Sequence, residues 1–322
     1  MSVFENSQIL VTGGTGSFGR AFIERVLSEH NPERVVVFSR DELKQYDMRA
    51  QFSDDPRLRF FIGDIRDRHR LTRAFRGIDY VIHAAALKQV DTAEYNPFEF
   101  VATNITGSQN VVEAALDADV RKVVALSTDK ASSPINLYGA TKLVADKVFQ
   151  SANHYAGKQD TRFSVVRYGN VLGSRGSVVP FFKQLAKEGK DLPITDPNMT
   201  RFWITLDQAV DFVVTSLEMM RGGEVFVPKI PSMKILDLAK AIAPDSATVA
   251  SAIRPGEKLH EEMISLDDSR RTIELADRYV ILPTINNWGI SALEGKSLPE
   301  GFSFRSDTNT EWLSIDQLRQ LV

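Results

Sequence analysis

Gln8-Ile-Leu-Val-Thr12 runs directly into Gly13-Gly14-Thr15-Gly16-Ser17-Phe18-Gly19, and this stretch decides the fold. A short apolar run reads as a buried strand. Gly13, Gly16 and Gly19 then recur at Gly-x-x-Gly-x-x-Gly spacing. Glycines let the backbone turn tightly and approach a pyrophosphate, which rests on the N-terminus of the helix that follows. The spacing alone also fits a plain turn. Its place between a strand and a helix, expected over residues 20–28 with Ala21, Phe22, Val26 and Leu27 inward, is the context a dinucleotide site requires. Gly13, Thr15, Gly16, Ser17, Phe18 and Gly19 are the expected cradle.

Outward from there the rhythm repeats. Residues 34–39 read as a second strand, Val-rich and buried on both faces. Further strands are expected over 58–63, 80–85, 121–127 and 163–168, with a helix through 111–116. Strands alternating with helices at this spacing predict an α/β fold, a doubly wound parallel sheet of Rossmann type. From about Gly173 the rhythm changes. Helices are expected over 180–189, 206–220 and 236–242, a strand over 224–228, and a closing helix over 314–321. Residues 1–172 are expected to be mainly the dinucleotide domain, and 173–322 mainly a smaller C-terminal substrate lobe, with elements interleaving. The segment after about Trp288 is the least legible.

Composition excludes several classes. A net charge of −3 without a long basic run argues against nucleic acid. The absence of Cys excludes disulfides, Cys–metal sites and a catalytic thiol, and fits a reducing cytoplasm. With a strand expected within the first ten residues no signal peptide is expected, and no apolar run approaches the ~20 residues that span a bilayer. The five His show no metal-ligand spacing, and His260-Glu261-Glu262 lacks the second His of a zinc helix. No metal is therefore expected.

At the end of the second strand, NAD binders tend to carry an acid that holds the ribose. Here stand Ser39 and Arg40. A guanidinium suits a 2′-phosphate and Lys44 can assist, so NADP is favoured; Asp41 argues mildly against it if it points inward. Asp64 and Ile65 are expected beside the adenine. Ala84-Ala85-Ala86 offers a small-residue wall, and Lys88 lies within reach of cofactor or substrate.

Tyr138 and Lys142 stand four residues apart, on one face of a helix. A nearby ammonium lowers a phenol from its usual value near ~10, making Tyr138 an acceptor for a sugar hydroxyl proton. Asp129 and Lys130, just upstream, add a second acid–base pair that a plain alcohol dehydrogenase does not need. Thr128 can hydrogen-bond a sugar oxygen near carbon 4. In the second half Arg167, Asn170, Arg175, Arg201, Arg254 and Glu257 form a polar set, and arginines converging on a pyrophosphate would anchor a nucleotide-sugar.

At these residues the chain resembles an extended short-chain dehydrogenase/reductase. More closely it resembles the inverting UDP-N-acetylglucosamine 4,6-dehydratases that open bacterial pseudaminic acid biosynthesis. The likeness runs from about Gln8 to Val280. It rests on the glycine loop, on Ser39-Arg40-Asp41-Glu42-Leu43-Lys44-Gln45, on Ser127-Thr128-Asp129-Lys130-Ala131 and on Asn136-Leu137-Tyr138-Gly139-Ala140-Thr141-Lys142. Arg167-Tyr168-Gly169-Asn170, Met199-Thr200-Arg201-Phe202-Trp203-Ile204 and Arg254-Pro255-Gly256-Glu257-Lys258 extend it. Retaining dehydratases of the glucose type carry Asp-Glu in place of Asp129-Lys130, and relatives that share Asp-Lys typically carry Met in place of Tyr138. Two departures stand out: Gln89 where the family has His, and Ser133 where it has Asn.

The resemblance implies a mechanism. Tyr138, helped by Lys142, takes the carbon-4 hydroxyl proton while hydride passes to NADP⁺. Lys130, neutral and therefore of depressed pKa, removes the carbon-5 proton. Asp129, protonated beforehand or by Lys130, protonates the leaving carbon-6 hydroxyl. Hydride returns to carbon 6, and a proton reaches carbon 5 from the opposite face. Lys88, Asn170, Arg201, Arg254 and Glu257 are the implied substrate contacts, and a UDP-sugar the implied partner. The resemblance also implies a homo-oligomer. A retaining 4,6-dehydratase or a 4-epimerase acting on another nucleotide-sugar is the nearest alternative reading. A non-catalytic NADP-sensing protein is a further one, against which the retained Tyr–Lys pair argues.

Overall fold

The computed structural model describes residues 3–157, 159–173 and 177–322. Strands β1 (Gln8–Thr12), β2 (Arg34–Ser39), β3 (Leu58–Ile62), β4 (Tyr80–His83), β5 (Lys122–Thr128) and β6 (Arg162–Tyr168) appear where the apolar runs predict them. Every residue of β6 is buried, as are Val35–Ser39 of β2. A strand covered on both faces needs no polar alternation, which is why these runs read as continuous apolar stretches.

The sheet order is β3-β2-β1-β4-β5-β6, continued by Val225–Pro228, Arg278–Ile281, Thr272–Glu274 and Lys296–Ser297 to make ten strands. All pairings from β3 to Val225–Pro228 are parallel, and those beyond are antiparallel. The order reverses between β1 and β4. Ligands of doubly wound sheets lie in the crevice beyond the carboxyl ends at such a point.

Helix α1 runs Ser17–Glu29, three residues earlier than expected, so its first turn lies inside the glycine loop. Phe22 and Val26 face the core as expected, joined by Ile23, whereas Ala21 and Leu27 are half-buried. Val178–Lys187, Leu206–Met219, Ile235–Ile242 and the closing Ile315–Leu321 are helical, close to the expected bounds. The last is fixed by a capping box between Ser314 and Gln317. Its Leu318 enters a second apolar core with Phe182, Met199, Trp203, Met233 and Leu238, separate from the core of the sheet. Both cores contribute residues to the crevice, Phe38 and Ile65 from the first and Phe182 and Trp203 from the second.

Candidate functional site

A cleft of about 1370 Å³ opens over the carboxyl ends of the strands. The expected residues Gly13, Thr15, Gly16, Ser17, Phe18, Gly19, Ser39, Arg40, Lys44, Asp64, Ile65, Ala84, Lys88, Thr128, Lys130, Tyr138, Lys142, Asn170, Arg201, Arg254 and Glu257 all line it. Asp129 does not. It is fully buried just beneath.

The glycine loop meets its requirement in backbone terms. Gly13 has φ +66°, and a Cβ there would stand 2.9 Å from the backbone of Ala85. The small-residue wall after β4 is thus what the loop packs against. Gly16 caps α1 without any side-chain hydrogen bond, so the first-turn amides point their positive ends at the cleft. Beneath them Thr12 Oγ1 lies 2.8 Å from His83 Nδ1, tying β1 to β4.

At the end of β2, Arg40 stands 3.6 Å from Asp64. Lys44 pairs with Asp41 at 2.6 Å, and Asp41 also accepts from the Lys44 amide at 3.0 Å as the cap of Glu42–Gln51. The Asp41 carboxylate is thereby turned to its own helix. Asp64 is further held by Arg66, which outweighs partial burial and keeps its carboxyl below the usual range.

Tyr138 and Lys142 lie on one helix, Leu137–Ala152, whose cap Asn136 accepts from Gly139 N at 2.7 Å. This helix touches the turn Asp129–Ala131: a Cβ on Gly139 would collide with the Lys130 carbonyl oxygen. The Tyr138 ring sits in a small apolar cluster with Ala93 and Phe100, and Tyr138 and Thr128 both line the cleft. Lys142 Nζ donates to Leu126 O at 2.7 Å. The expected lowering of the phenol does not occur in this state. Burial dominates and pushes Tyr138 up to about 12, despite the nearby Lys130 charge. Burial also lowers Lys142, against the attraction of Asp146.

Lys130 is a second correction. Burial by itself favours the neutral amine, but Asp129 and Glu261 outweigh it and hold Lys130 above the ordinary lysine value. Its Nζ lies 3.0 Å from Asp129 Oδ1 and 3.2 Å from Glu261 Oε1. Thr128 Oγ1 donates to the same Asp129 oxygen at 2.8 Å. Lys88 is drawn below its usual value by partial enclosure and then by Lys130.

The second-half polar set divides. Arg201 is buried between Glu257 Oε1 at 3.4 Å and Glu261 Oε1 at 3.7 Å. Arg254 is exposed at the cleft mouth, and its loop is closed by Glu257 N donating to Arg254 O. Asn170 Oδ1 is buried with no hydrogen-bond partner among the described residues. Arg167 belongs elsewhere. It is buried against Asp146 at 3.2 Å and donates to Met263 O, so it is a structural pair and not an anchor in the cleft. Arg175 lies outside the described residues.

Sequence reading missed a clamp. Residues 254–262 fasten onto residues 129–136: Lys258 Nζ donates to Ser132 O at 2.7 Å, Asn136 Nδ2 to Gly256 O at 2.8 Å, and Ser133 Oγ to Glu262 Oε2 at 2.6 Å. Glu261 sits within it. The density of charge in this run was its only signal. Among the described residues no group of His, Cys, Asp and Glu is arranged to hold a metal ion, and no helix is long and apolar enough to cross a membrane.

Residues 9–283 match the model of a family described as polysaccharide biosynthesis protein. The chain belongs to that family. Among its relatives, a UDP-N-acetylglucosamine 4,6-dehydratase (inverting) of Campylobacter jejuni is 53% identical, covering 99% of this chain and 98% of the relative. A UDP-glucose 4-epimerase of Rickettsia akari is 39% identical over 99% of this chain and 96% of its own. The solved structure of Pen from Bacillus thuringiensis superposes with TM-score 0.91 at 39% identity, covering 99% of this chain and 98% of that one. A dTDP-glucose 4,6-dehydratase, DesIV of Streptomyces venezuelae, solved with NAD and TYD bound, gives TM-score 0.71 at 28% identity, covering 78% and 86%. The extended short-chain dehydrogenase/reductase fold of this family member follows from these likenesses and from its own sheet order.

Proposed function

We propose that this chain is an NADP-dependent UDP-N-acetylglucosamine 4,6-dehydratase that inverts carbon 5, a hydro-lyase yielding UDP-2-acetamido-2,6-dideoxy-β-L-arabino-hex-4-ulose. One observation carries the reading: a single cleft joins the glycine loop and the Tyr138–Lys142 helix to a buried Asp129–Lys130 acid–base pair. Oxidation at carbon 4 uses the first two. Only elimination uses the third. The likeness to the Campylobacter dehydratase over nearly the whole chain supports it. The Rickettsia relative's name favours a second reading, 4-epimerisation.

The cradle fits a dinucleotide. Gly13, Gly16 and the uncapped first turn of α1 suit the pyrophosphate, and Arg40 with Lys44 suit a 2′-phosphate. A bound oxidised dinucleotide would supply the hydride acceptor for carbon 4, the hydride donor for carbon 6 and a positive charge in the cleft. Positive charge favours phenolate and neutral amine alike, opposing the shifts described above. Tyr138 then takes the carbon-4 hydroxyl proton, positioned by Thr128. Lys130 hands its proton across 3.0 Å to Asp129. That one transfer leaves a neutral base for carbon 5 and a protonated acid for the carbon-6 hydroxyl. Lys88, Asn170, Arg201, Arg254 and Glu257 are assigned to the UDP-sugar. Residues 1–172 serve mainly the cofactor and 173–322 mainly the sugar nucleotide.

The same reading carries the first step of pseudaminic acid biosynthesis, a cytoplasmic location and a symmetric homo-oligomer, the last tested by light scattering. The deciding experiment is turnover of UDP-N-acetylglucosamine in heavy water with product NMR. Deuterium at carbon 5 of a 4-keto-6-deoxy sugar of L configuration is expected. A carbon-4 epimer without that label establishes the epimerase reading instead. For the cofactor, Arg40→Asp is expected to weaken NADP binding more than NAD binding; equal loss of both, measured by titration, removes the preference.

A further inference from the structure

Glu261 has a place in the site that no step above uses. Its side chain is 2% exposed, and its Oε1 faces Lys130 Nζ at 3.2 Å and Arg201 Nε at 3.7 Å. Its Oε2 has no hydrogen-bond partner among the described residues. The backbone is held on both sides by one residue: Glu261 N donates to Ser306 Oγ at 2.9 Å, and Ser306 N donates to Glu261 O at 2.8 Å. Ser306 is itself fully buried and its Oγ lies 2.7 Å from Thr200 Oγ1. A carboxylate taken out of water at this cost is retained only with charged partners. Here they are Lys130 and Arg201.

We propose that Glu261 is a positioning residue for dehydration: with Asp129 it aims the Lys130 amine into the cleft, and it stabilises the ammonium formed when Lys130 takes the carbon-5 proton. This rests on the dehydratase reading. The logic is that of a base oriented by a third, buried group. The step balances without Glu261 gaining or losing a proton. Lys130 passes its proton to Asp129 Oδ1, and the neutral amine takes the proton from carbon 5. The C–H electrons become the bond between carbons 5 and 6 as the carbon–oxygen bond at carbon 6 breaks, and Asp129 returns its proton to the departing oxygen as water. Glu261 remains an anion beside the newly charged Lys130. Asp129 is neutral as that transfer begins and regains its charge only when the water departs, so Glu261 is the carboxylate beside Lys130 that is charged throughout.

The charged and titratable groups facing Lys130 are Asp129 in its own turn, Glu261, Arg201 from strand Thr200–Ile204, Lys88 after β4, Lys258 from the clamp, and Tyr138 from the helix. Only the two carboxylates favour its ammonium strongly. Removing one of them therefore moves its titration to lower pH.

The test uses Glu261→Gln, which keeps the shape and removes the charge, and Glu261→Asp, which keeps the charge and withdraws it by one methylene. In Glu261→Gln, formation of reduced cofactor on mixing with substrate is expected within about twofold of wild type. Elimination is expected to slow at least about tenfold, a part of the ~10²–10⁴ that acid–base catalysis supplies. Glu261→Asp should slow elimination less and keep the wild-type pH profile. A readout free of cofactor and substrate is the NMR titration of Lys130 after isotopic methylation of lysines, whose midpoint should fall in Glu261→Gln. An unchanged midpoint, or equal loss in both half-reactions, overturns the role and leaves the dehydratase reading standing. Should Glu261→Gln not fold, Glu261→Asp decides: wild-type elimination overturns the role. A wild-type enzyme that makes an epimer without label at carbon 5 overturns the dehydratase reading itself.

Discussion

Tyr138 joins two demands in one side chain. Its ring packs with Ala93 and Phe100, while Tyr138 also lines the cleft together with Thr128. Tyr138→Phe separates them. The apolar contacts survive, so the melting temperature should hold within a few degrees. Turnover should fall by about 10²–10⁴, the usual acid–base contribution. Steady-state rates and a thermal melt on the same preparation check both halves, and a variant keeping more than a tenth of the rate removes Tyr138 from proton transfer. Ser133 raises a different question. It holds φ at 42°, in the left-handed region, and bonds Glu262. Asn tolerates that region better than Ser, and β-branched residues tolerate it poorly. Ser133→Asn keeps a donor for Glu262 and should stabilise by up to about 1 kcal/mol, whereas Ser133→Val should destabilise by a similar or larger amount. Urea denaturation midpoints decide it.

At the scale of elements, the clamp connects the loop of Arg254 to the turn of Lys130, and Asn136 serves both sides. Its Oδ1 accepts from Gly139 N as helix cap, and its Nδ2 donates to Gly256 O. Asn136→Asp retains an acceptor for the cap and loses the donor. Helix stability should persist, since Asp caps about as well as Asn. The released loop should raise KM for the UDP-sugar roughly fivefold, the value of one hydrogen bond near 1 kcal/mol, with kcat little changed. Asn136→Ala removes the cap as well and should also cost about 1 kcal/mol of stability. Equal KM values for wild type and Asn136→Asp would show that the clamp does not govern binding. This level was the least legible in the sequence. β1 through β6 and the glycine loop announce themselves because periodicity and local turn chemistry are short-range signals. Glu261 and Ser306 are joined only by tertiary packing across the two-residue strand Phe304–Arg305, too short to leave a pattern. Charge signs in the site were equally hidden. Burial of Tyr138, and a second carboxylate beside Lys130, reversed expectations drawn from neighbours in the chain.

The whole molecule closes around its crevice, and the tie beneath the glycine loop ranks among its most buried polar contacts. His83 is 2% exposed, lies 2.8 Å from Thr12 Oγ1 and 3.4 Å from Ser108 Oγ, and joins β1 to β4 where the sheet order reverses. Burial, with the Lys142 charge adding to it, pushes its imidazole down to about 3. In the unfolded chain it titrates near ~6.5. Between these values the unfolded state binds a proton that the folded state refuses. Stability from this group is therefore fully present above about pH 6.5 and is lost as pH falls, at about 1.4 kcal/mol per pH unit, or roughly 2 kcal/mol by pH 5. Asp55 and Asp268, each held low by an arginine against partial burial, lose their own contribution only at lower pH, below the ordinary carboxylate range near ~4. In the window from pH 6.5 to 5 the lowered imidazole of His83 therefore contributes ahead of these carboxylates. Urea midpoints should fall across this window for wild type. They should fall less for His83→Asn, which leaves a polar partner for Thr12 and removes the titration. The NMR signal of the His83 ring should stay that of the neutral form at pH 5 in the folded protein. An imidazole that titrates near 6.5 while the protein remains folded would mean that water reaches the base of the crevice, and that the tie between β1 and β4 opens without unfolding.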